Sequence, residues 1–301
     1  MIRFLLAIVS FFIIVSTHAQ IGASNRWAIV HISVANIRTE PRHSAELSTQ
    51  ATMGTPLQIT EILDNGWYKI LMPDGYTGYI IGNSITQKSS DEIAEWKKSE
   101  RLIVSSFNEI KAYKDSVGQE VISDLVNGNI VQHIGNSSKR HKIALPDGRI
   151  GWVYRYNVMP IRQWASQPFN PNLIIDMAKS LIGTPYLCGG TSTKGVDCSG
   201  LSKSTYFANG IILLRDSSQQ SECGKLSASP QKGDLLFFGN KATGRINHVG
   251  IYDCDGYYIE SSGRVKRSNI TNANNYMFTR HLSQSIGTNG IIRAINHPWY
   301  F

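Results

Sequence analysis

Short alternating runs of apolar and polar residues, cut by turn residues, fill the first half of the chain, and longer helix-spaced runs follow from Pro171. One pattern in the first half occurs twice. Met72-Pro73-Asp74-Gly75-Tyr76-Thr77-Gly78-Tyr79-Ile80 returns 73 positions later as Leu145-Pro146-Asp147-Gly148-Arg149-Ile150-Gly151-Trp152-Val153. Proline presets φ, aspartate bonds its own backbone and glycine accepts a left-handed conformation, so each copy reads as a tight turn between two short strands. A further strand is expected before each copy, around Leu57 and Ile130. The repeat therefore predicts two compact β units of about 65 to 75 residues. Residues 89–109 are charged, with Ile93, Trp96 and Leu102 at helical spacing, and are expected to join or decorate these units.

The pattern breaks over residues 163–171, where Ser-Gln-Pro-Phe-Asn-Pro interrupts any period. Pro171 then suits the first turn of a helix whose apolar face is Leu173, Ile174, Met177 and Leu181, ending at Gly183. A second helix is expected from Cys198 through Leu201, Tyr206 and Phe207 to a stop at Gly210. Strands are expected at 234–238, 248–252 and 256–260, before a mixed tail with Ile291-Ile292. Helices followed by strands within ~130 residues predict an α+β domain.

The start of the chain stands apart from the fold. Met1-Ile2-Arg3 is positive, residues 4–15 are almost wholly apolar, and Thr17-His18-Ala19 offers small residues for cleavage. This reads as a secretory signal over 1–19, with a retained anchor as the alternative. The apolar stretch is short for a membrane span and no cysteine follows it to take a lipid, so no span is expected in the mature protein. Thirty basic against 22 acidic residues give +8, or +7 without Arg3, spread along the chain. No dense basic block with interleaved aromatics occurs, which argues against nucleic acid and suits a polyanionic exported substrate. The four cysteines, Cys188, Cys198, Cys223 and Cys254, are sparse and show no CxxC spacing. Free thiols are expected rather than two disulfides, and neither a metal site nor a cofactor is implied.

The chemistry concentrates at Cys198, in Gly195-Val196-Asp197-Cys198-Ser199-Gly200-Leu201, and at His248 fifty positions on. A thiol in the first helical turn faces unpaired N–H groups and the positive end of the helix dipole, which favour the nucleophilic thiolate. A strand histidine can hold the proton and return it to a leaving amine. That is the outline of a papain-like cysteine peptidase.

With these residues assembled, the last ~130 residues resemble the NlpC family of bacterial cell-wall cysteine peptidases. The matching runs include Gly183-Thr184-Pro185-Tyr186, Asp197-Cys198-Ser199-Gly200-Leu201, Arg215-Asp216-Ser217, Gly233-Asp234-Leu235-Leu236-Phe237-Phe238, His248-Val249-Gly250-Ile251-Tyr252 and Ser261-Ser262-Gly263. The two β units look like bacterial SH3-like domains. After the signal over 1–19, the resemblance implies SH3-like β-barrels over 20–88 and 89–165 and a papain-like domain over 166–301, an α+β protein overall. It also implies cleavage of the γ-D-glutamyl to L-diamino-acid bond in murein peptides with a free N-terminal L-Ala. In that family pattern Tyr186 would donate to the oxyanion beside the Cys198 N–H. Asp197, Ser199, Asp216 and Ser217 would take the free α-ammonium, and Glu46 and Tyr76 of the first β unit would close the pocket.

Two positions depart from the pattern. The residue orienting the histidine is usually another histidine, twelve positions on, and here it is Glu260. A carboxylate can fix the tautomer and stabilise the imidazolium, with a raised His248 pKa as the consequence. Cys188 stands where the family carries tryptophan before Gly-Gly, exchanging a flat wall for a small thiol. Both departures leave a rival reading, a non-catalytic wall-binding protein with a degenerate site. Intact Cys198 and His248 argue for the enzyme.

Overall fold

The computed structural model describes residues 27–288 and 290–301. The signal expected over 1–19 lies outside these residues. Among them, no helix is long and apolar enough to cross a membrane.

Seven antiparallel strands from Trp27–Val30 to Ile85–Lys88 form one sheet, and seven from Arg101–Val104 to Val158–Pro160 form another. Numbered within each unit, both sheets run 3-2-6-5-4-1-7. The sequence repeat is thus a repeat of topology. Each Pro-Asp-Gly segment joins the fifth strand to the sixth, Trp67–Leu71 to Thr77–Ile81 and Arg140–Ala144 to Ile150–Tyr154. Gly75 and Gly148 take the left-handed φ that the turn demands, +81° and +90°.

Residues 89–109 are not simply a joining segment. A helix, Ser90–Lys98, occupies their first part, opened by a capping box in which Ser89 and Glu92 satisfy each other's backbone N–H groups. Arg101–Val104 is then the first strand of the second sheet, buried along its whole length between Ile130–Asn136 and Val158–Pro160. The break near residue 163 also narrows. Helix Ile161–Ser166 buries Ile161 and Trp164, whose indole N–H donates to the Phe207 carbonyl, and only residues 167–170 are irregular.

The remaining half is a helix pair against a six-stranded antiparallel sheet. Asn170 caps helix Pro171–Ser180, accepting from the Asn172 and Leu173 N–H groups at 3.0 and 3.3 Å. Helix Cys198–Ala208 follows, ended beyond Asn209 by Gly210 at φ +70°. The sheet runs Lys225–Ser227, Tyr276–His281, Leu235–Asn240, Arg245–Cys254, Tyr257–Ser262, Arg264–Asn269. Its three middle strands from Leu235 to Ser262 are those expected from the sequence. Val249, Ile251 and Ile259 alternate onto the face that packs on Ile174, Met177 and Leu201, while Leu236, Phe238 and Tyr258 form a second apolar cluster.

The three units share contacts that fix their arrangement. Ile29, Trp96, Ile103, Trp164, Ile212 and Tyr300, drawn from all three, make one core. Strand Leu47–Thr52 of the first sheet docks directly on the helix-and-sheet half. The Gln50 side chain accepts from the Thr191 N–H at 3.0 Å and the Ser192 hydroxyl at 3.1 Å, and its carbonyl accepts from the Thr191 hydroxyl. Gly189 approaches so closely that a Cβ there would lie 2.1 Å from the Leu47 carbonyl oxygen.

Candidate active site

Cys198 is the first residue of its helix, so its N–H has no carbonyl four residues back and faces outward. Asp197 caps the helix by accepting from the Gly200 N–H at 2.7 Å. Gly200 is required by space, because a Cβ would sit 1.9 Å from the Gly190 carbonyl oxygen. The Asp-Cys-Ser-Gly run therefore seats a helix end against the Gly189-Gly190 backbone with the thiol at its tip.

His248 lies in strand Arg245–Cys254, near enough to the Cys198 thiol for the two to bear on each other's ionisation. Its Nε2 is 2.6 Å from Glu260 Oε2 on the neighbouring strand. Glu260 is itself buried and held, accepting from the Ser268 hydroxyl at 2.6 Å, with Lys266 Nζ 3.7 Å away. Burial alone would lower the His248 pKa, but its bonds to Cys198 and Glu260 outweigh this and raise it to about 9. Burial likewise opposes ionisation of Glu260, yet the bonds from His248 and Ser268 leave its pKa below the ordinary value.

The signs follow. The His248 contribution to stability is present in full below its ordinary pKa of 6.5 and is lost as pH rises through about 9. The Glu260 contribution is present above 4.5 and is lost as pH falls through its lowered pKa. Activity that depends on the imidazolium should accordingly fall on the alkaline side near pH 9. In Glu260→Gln that limb should move down by about one unit and kcat by ~10–100-fold, as read from kcat–pH profiles. An unshifted limb would remove the carboxylate from this role.

Tyr186 is pinned beside the nucleophile by its N–H bond to the Gly263 carbonyl and a bridge to Val196. Its ring is 40% exposed, and burial, Cys198 and Asp197 push its pKa up to about 12, so the hydroxyl keeps its proton to donate. Cys188 is exposed, and partial burial of its thiol and the Asp197 and Glu46 carboxylates raise its pKa. All four cysteines are free.

The residues expected to hold an ammonium divide into two groups. Asp197 and Ser199 are interior, contrary to the expectation that they face a ligand. Asp197 also accepts from the Gly189 N–H at 2.9 Å and forms an ion pair with both terminal nitrogens of Arg215. Ser199 Oγ accepts from Arg215 Nη1 at 2.9 Å. Arg215 is the residue that sequence reasoning passed over. It is 2% exposed, and its Nε donates to Thr49 of the first β unit at 3.1 Å. Asp216 and Ser217 are only half-buried. Tyr76 of the first β unit lies near enough to feel the Asp216 charge, and burial first, then that carboxylate, raise its pKa. Glu46 is exposed, near enough to Cys188 to bear on its ionisation.

A thiol at the tip of a helix packed on an antiparallel sheet, with a histidine of that sheet against it, defines a papain-like cysteine peptidase. Residues 183–286 match the NlpC/P60 family and residues 33–86 the bacterial SH3 domain. The chain thus carries an NlpC/P60 domain over residues 183–286 behind a bacterial SH3 domain over residues 33–86, and it is a cysteine peptidase. Dipeptidyl-peptidase 6 of Lysinibacillus sphaericus is 29% identical over 245 residues, 78% of this chain and 87% of the relative. A γ-D-glutamyl-L-lysine dipeptidyl-peptidase of Bacillus cereus is 27% identical over 235 residues, 74% of this chain and 69% of the relative. The crystal structure of an NlpC/P60 family protein from Bacillus cereus shares the fold at a TM-score of 0.75 and 23% identity, covering 85% of this chain and 99% of that one. Among these matches the SH3 assignment covers the first β unit, whose strand order the second repeats.

Proposed function

We propose that this protein is an exported cysteine endopeptidase that hydrolyses the γ-D-Glu to L-diamino-acid bond of murein peptides carrying a free N-terminal L-Ala. The observation that supports this most is the seating of the first β unit on the peptidase domain beside Asp216, where Arg215 Nε donates to Thr49 at 3.1 Å. It closes one end of the cleft with a wall from another domain, and the wall presents carboxylates. A short peptide with a free ammonium terminus fits such an end; a long or acylated one does not. The relatives named as dipeptidyl-peptidases point the same way. The domain limits 20–88, 89–165 and 166–301 belong to this reading, with the second β unit as a second SH3-like domain and 1–19 as the export signal.

In this mechanism the Cys198 thiolate attacks the γ-carbonyl. The resulting oxyanion takes hydrogen bonds from the Cys198 N–H and the Tyr186 hydroxyl. His248 passes its proton to the departing amine, leaving a thioester on Cys198, and then draws a proton from the water that hydrolyses it. Glu260 holds the imidazole in the tautomer whose other nitrogen faces the thiol. Asp216 and Glu46 take the ammonium, with Ser217 at the same edge, while Asp197 and Ser199 act through Arg215 by fixing the helix tip.

The test is hydrolysis of L-Ala-γ-D-Glu-diaminopimelate by the purified mature protein beside its N-acetylated form. The free peptide should be cleaved with kcat/KM at least ~100-fold above the acetylated one, through loss of the charge-assisted bonds from its ammonium to Asp216 and Glu46. Equal rates would remove amine recognition, and no cleavage of either would remove the proposed bond.

A further inference from the structure

One polar cluster in the second β unit lies outside the active site. His133 and Asn136 are in strand Ile130–Asn136, and His141 pairs with Asn136 from strand Arg140–Ala144. A register shift between His133 and Gly135 lets His133 and Asn136, three positions apart, meet on one side. His133 Nε2 is 3.2 Å from His141 Nδ1 and 3.2 Å from Asn136 Oδ1, and the last two are 2.7 Å apart. The two rings stand edge to face at 88°.

Two nitrogens bound to one metal ion at its usual ~2.0 Å lie about 2.9 to 3.4 Å apart at octahedral or tetrahedral angles. The separation between the histidines is of that size, and the amide oxygen closes the triangle. Glu100 supports it from outside, its Oε2 3.1 Å from His133 Nδ1. An ionised carboxylate only accepts, so Nδ1 carries the proton and Nε2 keeps its lone pair toward the triangle. That carboxylate–histidine pairing is what orients metal-ligating imidazoles. Burial, His133 and Arg155 lower the His141 pKa, which keeps that ring neutral and able to ligate. Arg155 opposes a second cation here, and the Glu100 carboxylate offsets it. Among the described residues no three acidic, thiol or imidazole groups gather to hold a metal, and the third donor here is an amide.

We propose that His133, His141 and Asn136 bind a divalent transition-metal ion suited to imidazole, Zn²⁺ or Cu²⁺, with Glu100 holding His133 in place. Bound there, the ion cross-links the two strands of one hairpin. Through Glu100 it also ties down the segment that enters strand Arg101–Val104 from helix Ser90–Lys98. Asn136 is exposed, so the remaining coordination positions face water. The histidines are eight residues apart on two strands, a spacing outside the usual zinc patterns, so the sequence does not display the site.

The test is calorimetric titration of Zn²⁺, and separately Cu²⁺, into the mature protein carrying Cys198→Ala, which removes the thiol beside His248 as a competing ligand. One ion should bind and raise the unfolding temperature. His133→Ala and His141→Ala should each abolish that binding. Glu100→Gln should weaken it by ~10-fold, and Asn136→Asp, which puts a charged oxygen into the triangle, should strengthen it. No binding of either metal would overturn the proposal. Binding unchanged by either histidine substitution would also overturn it, by placing the ion elsewhere. If a histidine variant fails to fold without metal, the two exposed positions decide. Tighter binding in Asn136→Asp with weaker binding in Glu100→Gln supports the site. Unchanged binding in both refutes it and leaves a cluster held by hydrogen bonds alone.

Discussion

Cys198→Ala should lower peptide hydrolysis by at least ~10³-fold while leaving the melting behaviour within about 1 kcal/mol of the wild type. The two halves of that expectation have separate causes. The thiol sits at the tip of helix Cys198–Ala208 beside His248, so its loss removes the covalent route and leaves only binding and the oxyanion donors. The fold, in contrast, draws little from one sulfur atom. The helix is seated by the Asp197 cap, the Gly200 approach and the Arg215 pair, none of which involves the thiol. Hydrolysis of the tripeptide and thermal unfolding, measured on one preparation, check both. Activity retained in the variant would mean that the chemistry lies elsewhere.

Arg215→Met should destabilise the protein by ~3–5 kcal/mol and inactivate what remains folded. Burial works against the Arg215 charge, and its bonds to Asp197 more than restore it, so its pKa lies above the ordinary value. Methionine would fill the space but strand a buried Asp197 carboxylate with only the Gly189 and Gly200 N–H groups and the Ser199 hydroxyl for partners. The same change unties Ser199 and the cross-domain bond to Thr49. Lysine is no substitute, because a single ammonium cannot reproduce the fork to Asp197 and the Nε–H to Thr49 together. Urea unfolding measures the loss. A cost below ~1 kcal/mol would show the pair to be structurally idle.

Much of the site was legible in the sequence, and the boundary has a physical meaning. A nucleophile in a helix's first turn, a histidine in an apolar strand and a Pro-Asp-Gly turn are local patterns, readable wherever the chain ends up. The partners that complete them are not local. Arg215 reads as the start of a polar turn until the fold buries it against Asp197, eighteen residues earlier, and Thr49, 166 residues earlier. The same distance hid the inward turn of Asp197 and Ser199, since a carboxylate beside a nucleophile looks available until its cation is found. Arg101–Val104 sat in a charged segment whose apolar residues fit a helix at least as well as a strand. Its pairing with Ile130–Asn136 and Val158–Pro160 settled the matter. Strand Tyr276–His281, which ends in Arg280 and His281, has no strong apolar alternation, and it exists because Leu235–Asn240 and Lys225–Ser227 bond it on both sides. Glu260 was the reverse case. The departure that raised the thought of a degenerate site makes a 2.6 Å bond to His248.

The close approach of Gly189 to the Leu47 carbonyl has a further meaning. Two main chains meet there with no side chain between them, so the separation between the wall at residues 44–50 and the helix tip is a property of the backbone. Side chains on that wall can be exchanged without moving it. Substitution there would alter which end group is welcomed, whereas the span available to a bound molecule would stay as it is, like a stop machined into a rule. Lengthening that span takes an insertion or a shifted domain rather than a mutation, and the two properties are therefore free to diverge independently.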